Sequence, residues 1–108
     1  MLPKTNRIRK KKEFEVIFKN SKSIKSGPFI FRIMRNKMDY NRFGFIISQK
    51  VSKRAVVRNR IRRRLVEAIK KEEGNIKKGI DVVVVVLPGA DKKLFPGIRE
   101  NIRTIFSS

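Results

Sequence analysis

Residues 50–69, KVSKRAVVRNRIRRRLVEAI, carry eight cations (Lys50, Lys53, Arg54, Arg58, Arg60, Arg62, Arg63 and Arg64) and one acid, Glu67. No Gly or Pro interrupts the run, and Ser52 is a good N-cap residue, so the spacing predicts one helix opening there. At about 100° per residue, Val57, Ile61, Leu65, Ala68 and Ile69 fall within an arc of about 120°, the apolar stripe of a helix docked on a core. Asn59, Arg60, Arg63 and Arg64 lie outside that arc, with Arg58 and Arg62 at its border. Arg54 with Arg58 and Arg58 with Arg62 place like charges at i,i+4, which disfavours a helix by a few tenths of a kcal/mol per pair. An anionic partner would relieve that repulsion.

The flanking segments set the fold class. Before the basic stretch, residues 29–35 and 42–48 alternate: Phe29, Phe31, Ile33 and Phe43, Phe45, Ile47 point one way. Ile30, Arg32, Met34 and Gly44, Ile46, Ser48 point the other. Read as neighbouring strands joined by a polar loop at 36–41, they give one aromatic face and one milder face. After a charged connection with Gly74 as helix stop, residues 80–87 contain VVVVV, too β-branched for a loop and apolar enough for a central strand buried on both faces. Strand, basic helix and buried strand form a βαβ unit, which is right-handed by default.

The ends complete the order αβββαβα, an α/β (α+β) sandwich of a roughly four-stranded sheet with helices in one domain over residues 1–108. Residues 1–9 read as a basic, flexible arm. Residues 10–20 place Phe14, Ile17 and Phe18 at helical spacing, and 22–26 suit a short edge strand before Gly27-Pro28. Pro96 opens a last helix whose inner side holds Ile98, Ile102, Ile105 and Phe106.

Composition narrows the function. Twenty-nine Lys and Arg stand against nine Asp and Glu in 108 residues, a formal charge of +20. That surplus implies a polyanionic partner, nucleic acid before a membrane surface. Without an apolar run long enough to span a bilayer or a secretory leader, a cytoplasmic protein is expected, with no membrane partner and no small-molecule substrate. Cysteine and histidine are absent, which removes disulfides, thiolate metal sites and the usual general base. The nine acids are scattered, so no metal-binding or catalytic group is expected on the chain itself. The candidates for RNA contact are the cations Lys50, Lys53, Arg54, Arg58, Arg60, Arg62 and Arg63, together with the neutral Asn59. The milder strand face, through Ile30, Arg32 and Ser48, would hold an extended strand, with Phe14 and Phe18 serving either as plain core or, if part of them stays open, as stacking surfaces.

At Arg58-Asn59-Arg60, inside AVVRNRIRRRL, the chain resembles the bacterial ribonuclease P protein subunit. The likeness extends to the opening LPKTNRIRKKKEFEVIFK, the block FGFIISQKVSKRAVVRNRIRRRL, the valine strand and the closing helix, in the family's order and size. The resemblance implies a left-handed crossover, against the default, and a catalytic RNA subunit that uses Mg²⁺ to cut precursor transfer RNA at its mature 5′ end. It further implies that Arg58, Asn59, Arg60 and Arg63 lie near the RNA, and that Phe14, Phe18, Ile30 and Arg32 line a cleft for the 5′ leader. Many relatives carry an aromatic residue where this chain has Arg32, which keeps a planar stacking group and adds a charge. Composition alone suits a ribosomal or RNA-chaperone protein equally. A DNA-binding regulator would call for a helix-turn-helix or a dimer interface, and a protein-only nuclease for the histidines and clustered acids that are missing.

Overall fold

The computed structural model describes residues 6–92 and 95–106. The chain runs α1 (Lys11–Asn20), β1 (Lys22–Ser26), β2 (Phe29–Arg35), β3 (Arg42–Ile46), α2 (Ala55–Lys71), β4 (Ile80–Val86) and α3 (Phe95–Phe106), with single 3-10 turns at Glu73–Asn75 and Ala90–Lys92. The expected order αβββαβα is the one found. Residues 1–5 of the expected arm lie outside the described residues.

The valine strand takes the interior of the sheet, whose order is β1-β2-β4-β3. β4 is antiparallel to β2 and parallel to β3, and β1 forms a hairpin with β2. Gly27, at φ 58, turns that hairpin at the corner a II′ turn reserves for glycine. β2 and β3 are therefore not neighbours, contrary to the sequence expectation. The loop between them wraps the start of β4 instead of closing a hairpin: Asn36 N–H donates to Gly79 O (2.8 Å), its Nδ2 donates to Asp81 Oδ1 (2.8 Å), and Ile80 N–H donates to Asn41 Oδ1 (3.0 Å). Gly79 reaches this junction at φ 84.

Two apolar layers flank the sheet. Phe29, Phe31, Phe43, Val82, Val84 and Val86 face α2 and α3, where Ile61, Leu65, Ala68, Ile98 and Ile102 are buried against them. Val83 and Val85 face the other way, toward Ile8, Phe14, Ile17 and Phe18. The hand of the crossover follows from these facts. Leu87 N–H donates to Pro28 O, so odd residues of β4 bond toward β2 and even ones toward β3. The even valines point to α2; for L-residues this puts β3 on the right of β4, seen from α2 with both strands running up. Passing leftward through a helix in front of the sheet makes the crossover left-handed, the rare hand.

The basic helix begins at Ala55, later than the Ser52 cap predicts. Ser52 Oγ accepts the Arg54 N–H (3.2 Å), which forms a turn just ahead of the helix and leaves Arg54 as its N-cap. Nor does Gly74 stop it; the helix ends at Lys71, with Glu72 as the C-cap, and Gly74 does not take a positive φ. The arm is also less free than expected. Arg7 bridges Phe43, Ile8 N–H donates to Phe43 O (2.9 Å), and Ile8 is buried.

Glu72 joins the end of α2 to α3. Its carboxylate accepts from Arg99 Nε (2.8 Å), Asn75 Nδ2 (3.0 Å) and Arg103 Nη2 (3.1 Å), and these partners, Arg99 first, hold its pKa at about 2 against an ordinary 4.5. A carboxylate depressed in the folded state contributes stability above its unfolded pKa and loses it as pH falls through the folded one. Glu72→Gln is accordingly less stable than the parent at neutral pH, and the gap closes between about pH 4.5 and 2. Urea denaturation of both chains across that range measures it.

Candidate nucleic-acid interface

The end of the sheet where β3 finishes is also where α2 begins, so Lys50, Lys53 and Arg54 gather there, all exposed. Asn59, Arg60, Arg62 and Arg63 follow on the exposed surface of α2. Among the described residues no carboxylate pairs with any of these cations, and Asn59 Oδ1 accepts from Arg62 Nη1 (3.1 Å), which orients that guanidinium. Arg58, at the border of the apolar arc, is half-buried, and its Nη1 donates to Ser52 O (2.8 Å), bracing the turn that leads into the helix.

On the opposite side of the sheet, α1 lies across the strands over the row Arg32, Val83 and Gly44, which are partners in register. Phe18 covers the β2 end of that row, with the Arg32 guanidinium 4.9 Å from its ring centroid and Arg32 Nη1 donating to Phe18 O (3.3 Å). Phe14 covers the β3 end. A methyl group placed on Gly44 would come within 2.8 Å of the Phe14 ring, so the glycine is required for space. Gly44→Ala costs about 1–3 kcal/mol through overpacking and pushes Phe14 outward; thermal melts and the Phe14 ring resonances report the two effects.

The next row toward the α2 end is Lys25, Ile30, Val85 and Ile46. Its three apolar members are half-buried and Lys25 is exposed. This is the open floor beside Phe18 and Arg32. Of the residues expected to line a cleft, Phe18, Ile30 and Arg32 meet here, whereas Phe14 turns toward the edge of β3. Ser48 lies beyond the end of β3, where its hydroxyl accepts the Lys50 N–H (3.2 Å). Sequence reasoning missed Val85, because an unbroken valine run carries no alternation, and Lys25, because its place depends on strand register.

Arg42 fixes α1 to the sheet. It forms a two-point ion pair with Asp81, Nε to Oδ1 at 2.9 Å and Nη2 to Oδ2 at 2.6 Å, and its Nη1 pairs with Glu13. The Asp81 hydrogen bond raises the Arg42 pKa despite burial. Partial burial pushes the Glu13 carboxyl up, but hydrogen bonds from Arg42 and the Lys10 backbone outweigh it and hold it below its ordinary value. Among the described residues no three acids converge on a metal site. Glu13 and Asp81 are instead turned to the same guanidinium.

A cationic helix whose Arg60, Arg62 and Arg63 meet no carboxylate among the described residues, with a half-apolar sheet floor at one end of a small scaffold, suits an RNA partner. A family model described as Ribonuclease P matches residues 2–108. The chain belongs to the ribonuclease P protein family. The ribonuclease P protein component of Synechocystis is 39% identical over 88 residues, covering 81% of this chain and 71% of that one. That of Syntrophomonas wolfei is 36% identical over 101 residues, covering 94% and 84%. Among solved structures, the ribonuclease P protein of Thermotoga maritima aligns with a TM-score of 0.84 at 30% identity over 94% of each chain. The Staphylococcus aureus ribonuclease P protein gives 0.83 at 28% identity, over 93% and 91%. The family separates this chain from the ribosomal and chaperone readings that composition left open. It is the protein side of a ribonucleoprotein endoribonuclease that processes transfer RNA, and no helix among the described residues is long and apolar enough to cross a membrane.

Proposed function

We propose that the open sheet floor receives the single-stranded 5′ leader of precursor transfer RNA while the cations of α2 hold the RNA subunit. The observation that carries this is the in-register row Ile30, Val85 and Ile46, half-exposed beside Phe18 and Arg32 with Lys25 at its end. Strands about 4.8 Å apart make a floor for two or three nucleotides. Ile30, Val85 and Ile46 supply apolar contact, the Phe18–Arg32 pair a stacking edge, Lys25 a phosphate contact, and Ser48 a polar rim. Phe14 supports the floor from the β3 side. On α2, Lys50, Lys53, Arg54, Arg60, Arg62 and Arg63 neutralise phosphates, with Asn59 orienting Arg62 and Arg58 bracing the entry turn. Residues 1–108 act as one RNA-binding domain in the cytoplasm, with the basic arm contributing from its end.

Bond cleavage belongs to the RNA subunit. The chain has no histidine, and among the described residues no three acids converge, so this reading assigns Mg²⁺ to the RNA. The protein lowers the repulsion between two polyanions and so reduces the salt and Mg²⁺ they need to meet. Base stacking contributes about 1–3 kcal/mol per base. Trimming the leader to a single nucleotide therefore removes at least a tenfold share, roughly, of the affinity for substrate that the protein adds. Binding of full-leader and trimmed precursors to the RNA subunit, with and without protein, measures it; an equal gain for both substrates rules the floor out.

A further inference from the structure

A second cavity lies on the edge of β3, walled off from the leader floor by the Phe14 ring against Gly44. Its volume is about 600 Å³, the scale of a small-ligand pocket. Phe14, Phe45 and Val66 give it an apolar lining, with Ile8 of the arm closing one side. Cations line it as well: Arg7 and Arg9 from the arm, Arg62, Arg63 and Lys70 from α2. Glu67 is the one acid among the lining residues.

Two features suit this cavity to a guest that carries hydrogen-bonding groups. Among the described residues, Nε of Arg7 is buried without a hydrogen-bond partner. Phe43 O accepts from the arm, so the N–H and C=O of Phe45, two residues on and itself part of the lining, point to the same free edge of β3. A purely apolar guest would leave five cations and these backbone groups unanswered, and a bare anion would leave the aromatic lining unused. A nucleotide answers both, with its base against the apolar lining and its phosphates on Arg62 and Arg63.

We infer that this edge cavity takes an unpaired nucleotide of the RNA subunit. The inference rests on the reading of α2 as the RNA-subunit helix, since Arg62 and Arg63 belong to both. It does not depend on where the leader lies.

The test uses the full chain and the holoenzyme. Amide spectra of the protein are titrated with adenosine 5′-monophosphate and, at equal ionic strength, with inorganic phosphate. The nucleotide is expected to move Gly44, Phe45 and Val66, and phosphate to leave those three in place; identical responses would mean anion binding alone and overturn the inference. Val66→Trp, which fills the cavity, is expected to weaken RNA-subunit binding roughly tenfold while the dependence of substrate affinity on leader length persists. Unchanged RNA affinity in a folded Val66→Trp protein refutes the cavity, whereas loss of leader dependence alone counts only against the floor. Glu67→Gln changes an exposed residue and keeps the question open to test if the tryptophan variant does not fold. Removing the acid is expected to tighten nucleotide binding about twofold to threefold, and no tightening counts against the site.

Discussion

Alanine at Arg60, Arg62 and Arg63 together lowers affinity for the RNA subunit by about ten- to a hundredfold at low salt and flattens the salt dependence. The three guanidiniums are exposed and have no carboxylate partner among the described residues, so each is available to replace condensed counterions on a phosphate. The logarithm of affinity falls against the logarithm of salt with a slope of about −0.7 per phosphate on single strands, rising to about −0.9 on a B-form duplex. Three lost contacts therefore make the slope shallower by about 2 to 3, with little change in melting temperature because none of the three is buried. Arg58→Ala behaves differently. Its Nη1 bond to Ser52 O braces the turn before α2, so its removal costs stability as well as affinity. Filter binding across a salt series, beside thermal melts, separates the two. A triple variant with an unchanged slope would mean that α2 does not meet phosphate.

Local pattern was enough to find every strand and helix, and topology was where it failed. Alternation placed Phe29, Phe31 and Ile33 on one face and Ile30, Arg32 and Met34 on the other, as the structure has them. It could not place β4 between β2 and β3, because the contacts responsible join Asn36 and Asn41 to Gly79, Ile80 and Asp81, about forty residues away. The left-handed crossover came from the resemblance; alternation and propensity carry no information on hand. Ser52 misled for a chemical reason: a hydroxyl that accepts an N–H two residues on makes a turn, and the same residue type caps helices. The site divided in the same way. The arginines of α2 were legible because few acids could pair with them, while Val85 and Lys25 became visible only once strand register put them in one row with Ile30.

Asp81→Ala is the most damaging single substitution the fold predicts, at about 3–5 kcal/mol. The Asp81 side chain is 1% exposed, and its two oxygens take three hydrogen bonds, two from Arg42 and one from Asn36. Without it, Arg42, 16% exposed, keeps Glu13 alone among the described residues, and the amide of Asn36 loses its anchor on β4. A domain of this size is held by about 5–15 kcal/mol, so the variant stands near the limit of folding. The loss arises from a buried charge left uncompensated, which gives a sharp contrast. Replacing both partners, Arg42→Met with Asp81→Leu, recovers much of the stability because neither charge then needs solvation. It does not recover the position of α1, since Glu13 has lost Arg42. Denaturant unfolding should therefore rank the double variant well above Asp81→Ala, while leader-dependent substrate binding stays weakened in both, because the floor beside Phe18 and Arg32 is bounded by a helix that Arg42 no longer holds.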